Sequence, residues 1–296
     1  MTTEQAERPW EFTDDRGTTV TAGRRPRRVL AYVRAGAGLW EYGLRPVGVY
    51  GSAHDSGTEV DPVKAGALDS AEVPYLGQGS DLGEDTLSEL RPDLLVDVTY
   101  DGEHAYAVGK PLLAEAEAAG VPVVVLSVAG GSSLTGILGR FGELATALGG
   151  SAGGAAAELA AVEEELRAVA AVRAPRALVL SGAGTEQVHV ARPEAWPELR
   201  HLTGLGVDLA DPGPGPGANW LTTDWAHAVE LGRGADLVLA DSRAHASGPD
   251  ALAELPAWRE LTAGAAVVPW NPELPPAPAA CADFLRAVAA ALPGTR

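Results

Sequence analysis

The sequence predicts an α/β protein with two halves, each built on a mostly parallel sheet, joined by one long helix. Three observations carry this. Short β-branched and aliphatic strands alternate with helical segments along the whole chain. A single long helical stretch, Ser151 to Val172, sits near the middle. Two segments then match across it: Glu89-Leu90-Arg91-Pro92-Asp93-Leu94-Leu95-Val96-Asp97 and Glu230-Leu231-Gly232-Arg233-Gly234-Ala235-Asp236-Leu237-Val238-Leu239-Ala240-Asp241. Each reads as a helix end, a turn and a buried strand closing on an aspartate, the pattern of a weak internal repeat.

In chain order, Phe12 to Thr21 reads as a hairpin around the polar turn Asp14-Asp15-Arg16-Gly17. Strands are expected at Val29–Val33, Val47–Tyr50, Leu76–Gln78, Leu94–Val98 and Pro122–Val128. Helices fall between them at Arg34–Tyr42, Asp85–Leu90 and Pro111–Ala119, and Leu134–Leu148 follows the last strand. In the linking stretch Ser151 is the candidate N-cap, and Leu159, Val162, Leu166 and Val169 form an apolar stripe opposite Glu158, Glu163, Glu164, Glu165 and Arg167. About 22 residues at ~1.5 Å each make a rod of roughly 33 Å, which Pro175 stops. The second half is expected to hold strands at Ala177–Leu180, Val188–Ala191, Leu237–Ala240 and Val267–Val268. Its helices are expected at Trp196–Leu202, Thr223–Leu231 and Ala279–Leu292, with Asp211 to Gly217 as a Gly-Pro loop. The expected division is residues 1–150, a connecting helix 151–173, and residues 174–296.

At 296 residues and 46% apolar composition the chain can bury two cores. A net charge of −18 argues against nucleic acid and anionic membrane surfaces as partners. Cys281 is the one cysteine, so no intrachain disulfide forms. No stretch approaches the ~20 apolar residues of a membrane span. The first ten residues lack the apolar segment of a secretory signal. As the sequence stands the protein is expected to be cytoplasmic, or extracellular and membrane-associated if a signal was removed.

In open α/β sheets ligands sit beyond the carboxyl ends of the strands, which nominates the residues just after each strand. The first half offers Arg34, Trp40, Tyr50, His54, Gln78, Tyr100, His104, Tyr106 and Ser132. The second offers Glu186, Gln187, Arg192, Trp220, Trp225, Arg243, His245 and Trp270. Seven tryptophans beside arginines suit a planar, oxygen-rich ligand through stacking, cation–π contact and bidentate hydrogen bonds. The six histidines show no metal-ligand spacing, so no metal held directly by protein ligands is expected. Haem would need an axial ligand, for which Tyr100, His104 and Tyr106 are candidates. Asp101, Glu103 and His104 form the one cluster with acid–base character; Ser181 lacks a nucleophile elbow, and no complete catalytic constellation is present.

The chain resembles the class III substrate-binding proteins of ABC importers, the group that carries ferric siderophores, haem and cobalamin. The likeness rests on four stretches taken in order: the Asp14–Gly17 hairpin running to Pro26-Arg27-Arg28-Val29, Tyr42-Gly43-Leu44-Arg45-Pro46-Val47-Gly48-Val49, Glu84-Asp85 through Leu90–Val96, and the long helix. Trp258, Leu261 and Ala263 before Val267-Val268-Pro269 are similar to the family's closing pattern. The resemblance implies two Rossmann-like lobes joined by one rigid helix; a rigid helix limits hinge bending, so small closure on binding is expected. The resemblance also implies a siderophore-like ligand between the lobes, iron(III) carried within that ligand, an ABC permease as partner and a monomeric state. Family members place a glutamate on each lobe to engage the permease. Here the first position falls near Ala37 and Gly38, where no acid stands, and the second near Asp224. The alternatives are a cytoplasmic enzyme on the same scaffold acting on a bulky natural product, and an intracellular ligand carrier or sensor.

Overall fold

The computed structural model describes residues 9–55, 57–128 and 131–292. Met1 and most of the stretch read for an export signal lie outside the described residues. The chain forms two compact units, residues 1–153 with 275–277, and residues 154–274 with 278–296. The helix expected as a separate connector therefore belongs to the second unit.

The first unit opens with the hairpin β1 (Trp10–Thr13) and β2 (Thr19–Ala22), antiparallel as expected. There follow β3 (Val29–Tyr32), α1 (Val33–Glu41), β4 (Gly48–Gly51), α2 (Pro62–Ala65), β5 (Tyr75–Gln78) and α3 (Glu84–Leu90). The unit continues with β6 (Leu94–Thr99), α4 (Lys110–Ala119), β7 (Val123–Ser127) and α5 (Leu134–Ala147). The strands make one parallel five-stranded sheet in the order β5-β4-β3-β6-β7. β3 and β6 are buried along their whole length, which is why they read as unbroken apolar runs rather than alternating ones. The α2 turn was hidden in a polar loop; Asp61 caps it by accepting from the Val63 N–H at 2.9 Å, with Pro62 at its first position.

The second unit runs α6 (Ala155–Arg173), β8 (Arg176–Ala183), β9 (Gln187–Ala191), α7 (Pro197–Gly204), β10 (Asp208–Leu209) and β11 (Trp220–Asp224). It ends with α8 (Trp225–Leu231), β12 (Leu237–Asp241), α9 (Pro249–Leu252), α10 (Pro256–Thr262), β13 (Ala266–Trp270) and α11 (Pro278–Ala291). Its sheet runs β11-β9-β8-β12-β13, with β10 beside the start of β8. β8, β10, β12 and β13 are parallel, whereas β9 runs antiparallel to β8 and β11 antiparallel to β9. Thr223 was expected to begin a helix; instead it lies in β11, paired with Val188 of β9, and α8 starts two residues on, where the Asp224 carboxylate accepts from the His227 N–H at 2.8 Å. Asp224 is thus a helix cap.

α6 begins four residues later than expected. Ser151 does not cap it: its hydroxyl accepts from the Gly153 N–H at 3.2 Å, Gly153 turns with φ +56°, and Gly154 takes the cap position. Its buried stripe is Leu159, Val162, Leu166 and Ala170, so the four-residue step carries through to Ala170 while Val169 is half-buried. This stripe packs along α11. Ala174 ends the helix with φ 45°, one residue before Pro175.

The internal repeat is structural. Asp93 accepts from the Arg27 and Arg28 N–H groups as β3 begins, and its own N–H donates to the Arg28 carbonyl. In the second unit Asp236 accepts from the Arg176 N–H at 2.9 Å and donates to the Arg176 carbonyl at 2.8 Å. The closing aspartates, Asp97 and Asp241, are both buried.

Candidate functional site

In each unit the strand order reverses beside its first parallel strand, and a crevice at such a switch point is where open sheets bind ligands. In the first unit the switch lies between β3 and β6. Arg34, in the first turn of α1, donates to the Tyr100 hydroxyl at 2.9 Å, and its guanidinium stands 6.0 Å from that ring's centre. Tyr100 meets Tyr106 edge-on at 4.7 Å, Tyr106 meets Tyr32 at 5.6 Å, and Tyr32 lies 6.4 Å from Tyr50. Tyr106 is 37% exposed, one of few large apolar side chains that open to solvent among the described residues. A ladder of aromatic rings thus leads from the core to the surface, with one buried guanidinium beside it. Such a face offers stacking surface and hydroxyl groups to an aromatic or oxygen-rich ligand.

Beneath this ladder sits Asp97. It accepts from the Tyr50 hydroxyl at 3.2 Å, from the Val98 N–H at 2.7 Å, and from the N–H groups of Ala107 and Val108 at 3.2 and 2.7 Å. Burial pushes its carboxyl up to about 6, against the pull of these donors. The same burial, with Asp97 beside it, raises the Tyr50 hydroxyl well above the usual tyrosine value. A carboxyl that holds its proton more tightly folded than unfolded contributes stability in full below about pH 4 and loses it as pH rises through 6. The rise from the ordinary aspartate value of 3.8 to about 6 is worth about 3 kcal/mol. Urea unfolding of wild type and Asp97→Asn is expected to show the gap between them moving by about 2 kcal/mol in favour of wild type from pH 7 to pH 4. A gap that stays flat would refute this.

The acid–base cluster proves to be a loop lock. Asp101 accepts from the Thr99 hydroxyl and from the Glu103 and His104 N–H groups at 2.8–2.9 Å, and its other oxygen meets His104 Nδ1 at 2.9 Å. These donors hold the Asp101 carboxyl well below the usual carboxylate range, and Asp101 in turn raises the His104 imidazole. Both side chains are exposed. At the far edge of the sheet Gln78 donates to the Asp55 carbonyl at 2.6 Å, and the fully buried Lys64 pairs with the Asp55 carboxylate at 2.9 Å. His54 is exposed on that loop and Ser132 half-buried on the one after β7. Trp40 stands apart in the last turn of α1, stacked under the Arg45 guanidinium at 3.7 Å. Ala37 and Gly38 are buried against the core.

In the second unit the switch lies between β8 and β12. Ser181 donates to Asp241 at 2.8 Å, Arg243 grips the same carboxylate through Nε and Nη2 at 3.0 and 2.8 Å, and Arg243 Nη1 reaches Glu273 at 3.0 Å. These two carboxylates raise the Arg243 guanidinium against the cost of burial. Arg192 is committed in the same way: its nitrogens donate to the carbonyls of Gly213, Pro216 and Gly217 and hold the Gly-Pro loop. Trp196, Trp220 and Trp270 form a triangle with centroids 5.0–5.6 Å apart, and Trp270 donates to the buried Glu198 at 3.2 Å. Trp220 is its half-buried member, with His189 at 6.3 Å. Trp225 is buried against Trp258 and donates to the Gly184 carbonyl at 3.1 Å. Glu186, Gln187 and His245 are exposed on loops or at a strand start.

The structure therefore brings Arg34, Tyr50, Tyr100 and Tyr106 together, and separately gathers Trp220 with Trp270. Sequence reasoning missed Tyr32, Asp97, Trp196, Glu198 and Glu273. Asp97 and Asp241 carried a signal, as the residues that close the repeat. Among the described residues no group of three or more histidine, cysteine, aspartate or glutamate side chains is placed to hold a metal ion. Among the same residues no helix is long and apolar enough to cross a membrane.

No protein-family model matches the chain, and no curated protein matches it significantly. Solved structures do. The ferric-siderophore receptor DesE of Streptomyces coelicolor is 27% identical, with a TM-score of 0.82 over 95% of this chain and 97% of its own. The siderophore periplasmic binding protein from the fuscachelin gene cluster of Thermobifida fusca is 19% identical, with a TM-score of 0.65 over 91% of this chain and 97% of its own. The periplasmic haem-binding protein RhuT of Roseiflexus sp. RS-1 is 18% identical, with a TM-score of 0.61 over 90% of this chain and 98% of its own. The fold is that of the bacterial substrate-binding proteins. Within that class it is the class III periplasmic-binding-protein fold.

Proposed function

We propose that the chain binds an organic iron(III) chelate, a ferric siderophore, and delivers it to an ABC permease. The observation that carries this reading is the likeness to DesE, which extends over nearly the full length of both chains. The site chemistry supports it. A siderophore supplies all six iron ligands itself, so a binding face needs aromatic surface and hydrogen-bond donors, which Tyr100, Tyr106 and Arg34 provide. Haem is the second reading, favoured by the 37% exposure of Tyr106, a tyrosine that can act as an axial ligand.

The test is intrinsic tryptophan fluorescence during titration with a ferric trihydroxamate, a ferric tris-catecholate, haem and cobalamin. Saturable quenching by a ferric siderophore, with a Kd of about 1 μM or tighter, a binding free energy of about −8 kcal/mol, is the expected result. Tight binding of haem alone, with a shifted Soret band lost in Tyr106→Phe, would establish the second reading. Silence from all four would remove both.

A further inference from the structure

We propose that Asp97 is the positioning residue of the ligand-facing tyrosine loop: its carboxylate clamps the far end of residues 100–108 and so fixes how Tyr100 and Tyr106 are presented. The inference rests on the binding reading above and deepens it.

The loop leaves β6 at Thr99 and re-enters the core at Ala107. Its near end is locked by Asp101 on Thr99, and towards its far end the Tyr106 N–H donates to the Val98 carbonyl at 2.9 Å. Its far end rests on Asp97, which takes the N–H groups of Ala107 and Val108. These are charge-assisted bonds from a fully buried acceptor, the stronger kind, and they leave the backbone beside Tyr106 little freedom. The far end has a second support. The Gly109 N–H donates to the Gly79 carbonyl at 3.0 Å, and the two segments approach so closely that a β-carbon on Gly79 would collide with the Ala107 carbonyl. Asp97 is fully buried, so it acts on a ligand through the loop and Tyr50 and not by contact.

Position also argues for the role. In the second unit Asp241, the closing aspartate of the matching repeat, organises its switch point by gripping Ser181 and Arg243. Asp97 occupies the corresponding strand end and grips Tyr50 and the loop backbone instead. Both units place a buried carboxylate where the sheet order reverses, and only the first spends it on a segment that carries solvent-facing aromatic side chains.

The experiment compares wild type with Asp97→Asn, using a ferric trihydroxamate, a ferric tris-catecholate and haem as probes. Asparagine keeps the shape but turns one oxygen into a donor facing the donors of Ala107 and Val108. The expected result is at least a tenfold weaker Kd for whichever probe wild type binds. At saturation, the induced circular dichroism of that probe's visible band should also change, because the bound chelate sits differently. A variant that only lost stability would show the wild-type band once saturated. An unchanged Kd and band in folded Asp97→Asn would overturn the proposal while leaving the binding function intact. If no probe binds wild type, the binding function falls and this inference with it. Amide hydrogen exchange on wild type alone gives an independent reading should the variant not fold. The Ala107 and Val108 amides are expected to exchange at least tenfold more slowly with the bound probe, and unchanged exchange would overturn the positioning role.

Discussion

Replacing Arg243 with methionine is expected to cost the second unit about 3–5 kcal/mol. The guanidinium binds Asp241 through two nitrogens and Glu273 through a third, and both carboxylates are nearly inaccessible to water. Methionine matches much of the volume but leaves two buried negative charges without their shared cation. Arg243→Lys returns the charge on a single ammonium that cannot span both partners, and is expected to recover only part of the loss. Urea unfolding followed by tryptophan fluorescence measures both. A methionine variant within 1 kcal/mol of wild type would show that the network is not held by this ion pair.

Trp270→Ala is expected to cost a similar 3–5 kcal/mol. The ring is 1% exposed, closes the triangle with Trp196 and Trp220, and donates to Glu198, itself buried. Truncation opens a large cavity and strips a buried carboxylate of one donor. Trp270→Phe separates the two effects: it keeps most of the packing and loses the N–H, for an expected cost of about 1–3 kcal/mol. Equal losses in the two variants would mean that the hydrogen bond dominates. A phenylalanine variant as stable as wild type would assign the whole effect to packing.

The parallel cores were legible because buried strands such as Leu94–Thr99 announce themselves as apolar runs between turn residues. β11 was not. Its pairing with β9 joins residues about thirty positions apart, and Thr-Thr-Asp before an amphipathic run looks like a helix start. The α9 and α10 turns escaped because four to seven residues carry too little periodicity. In the site, Arg34, Tyr50, Tyr100 and Tyr106 were legible as residues near strand ends. What the arginines do there was not. Arg192 and Arg243 had the right type and place for a ligand, yet the fold brings carbonyls to one and carboxylates to the other. A guanidinium's partner is set by distant chain, as Glu273 and Arg243, thirty residues apart, show. Asp97 was visible only as the end of a repeat, since one buried acid in an apolar strand leaves no pattern of its own.

The turn Asp14-Asp15-Arg16 has a consequence for solubility. β7 is the last strand of its sheet, and its outer row of polar groups would invite another chain to pair. The turn occupies that row with three side chains and one backbone N–H. Asp14 takes the Val125 N–H, Asp15 takes the Ser127 N–H and gives its own to the Val125 carbonyl, and Arg16 covers the Val123 carbonyl. The sheet thus ends against carboxylates and a guanidinium, which fill its hydrogen bonds without offering a backbone edge for the next molecule to extend. A chain this rich in valine strands is in this way kept from growing into fibrils at this border of the sheet.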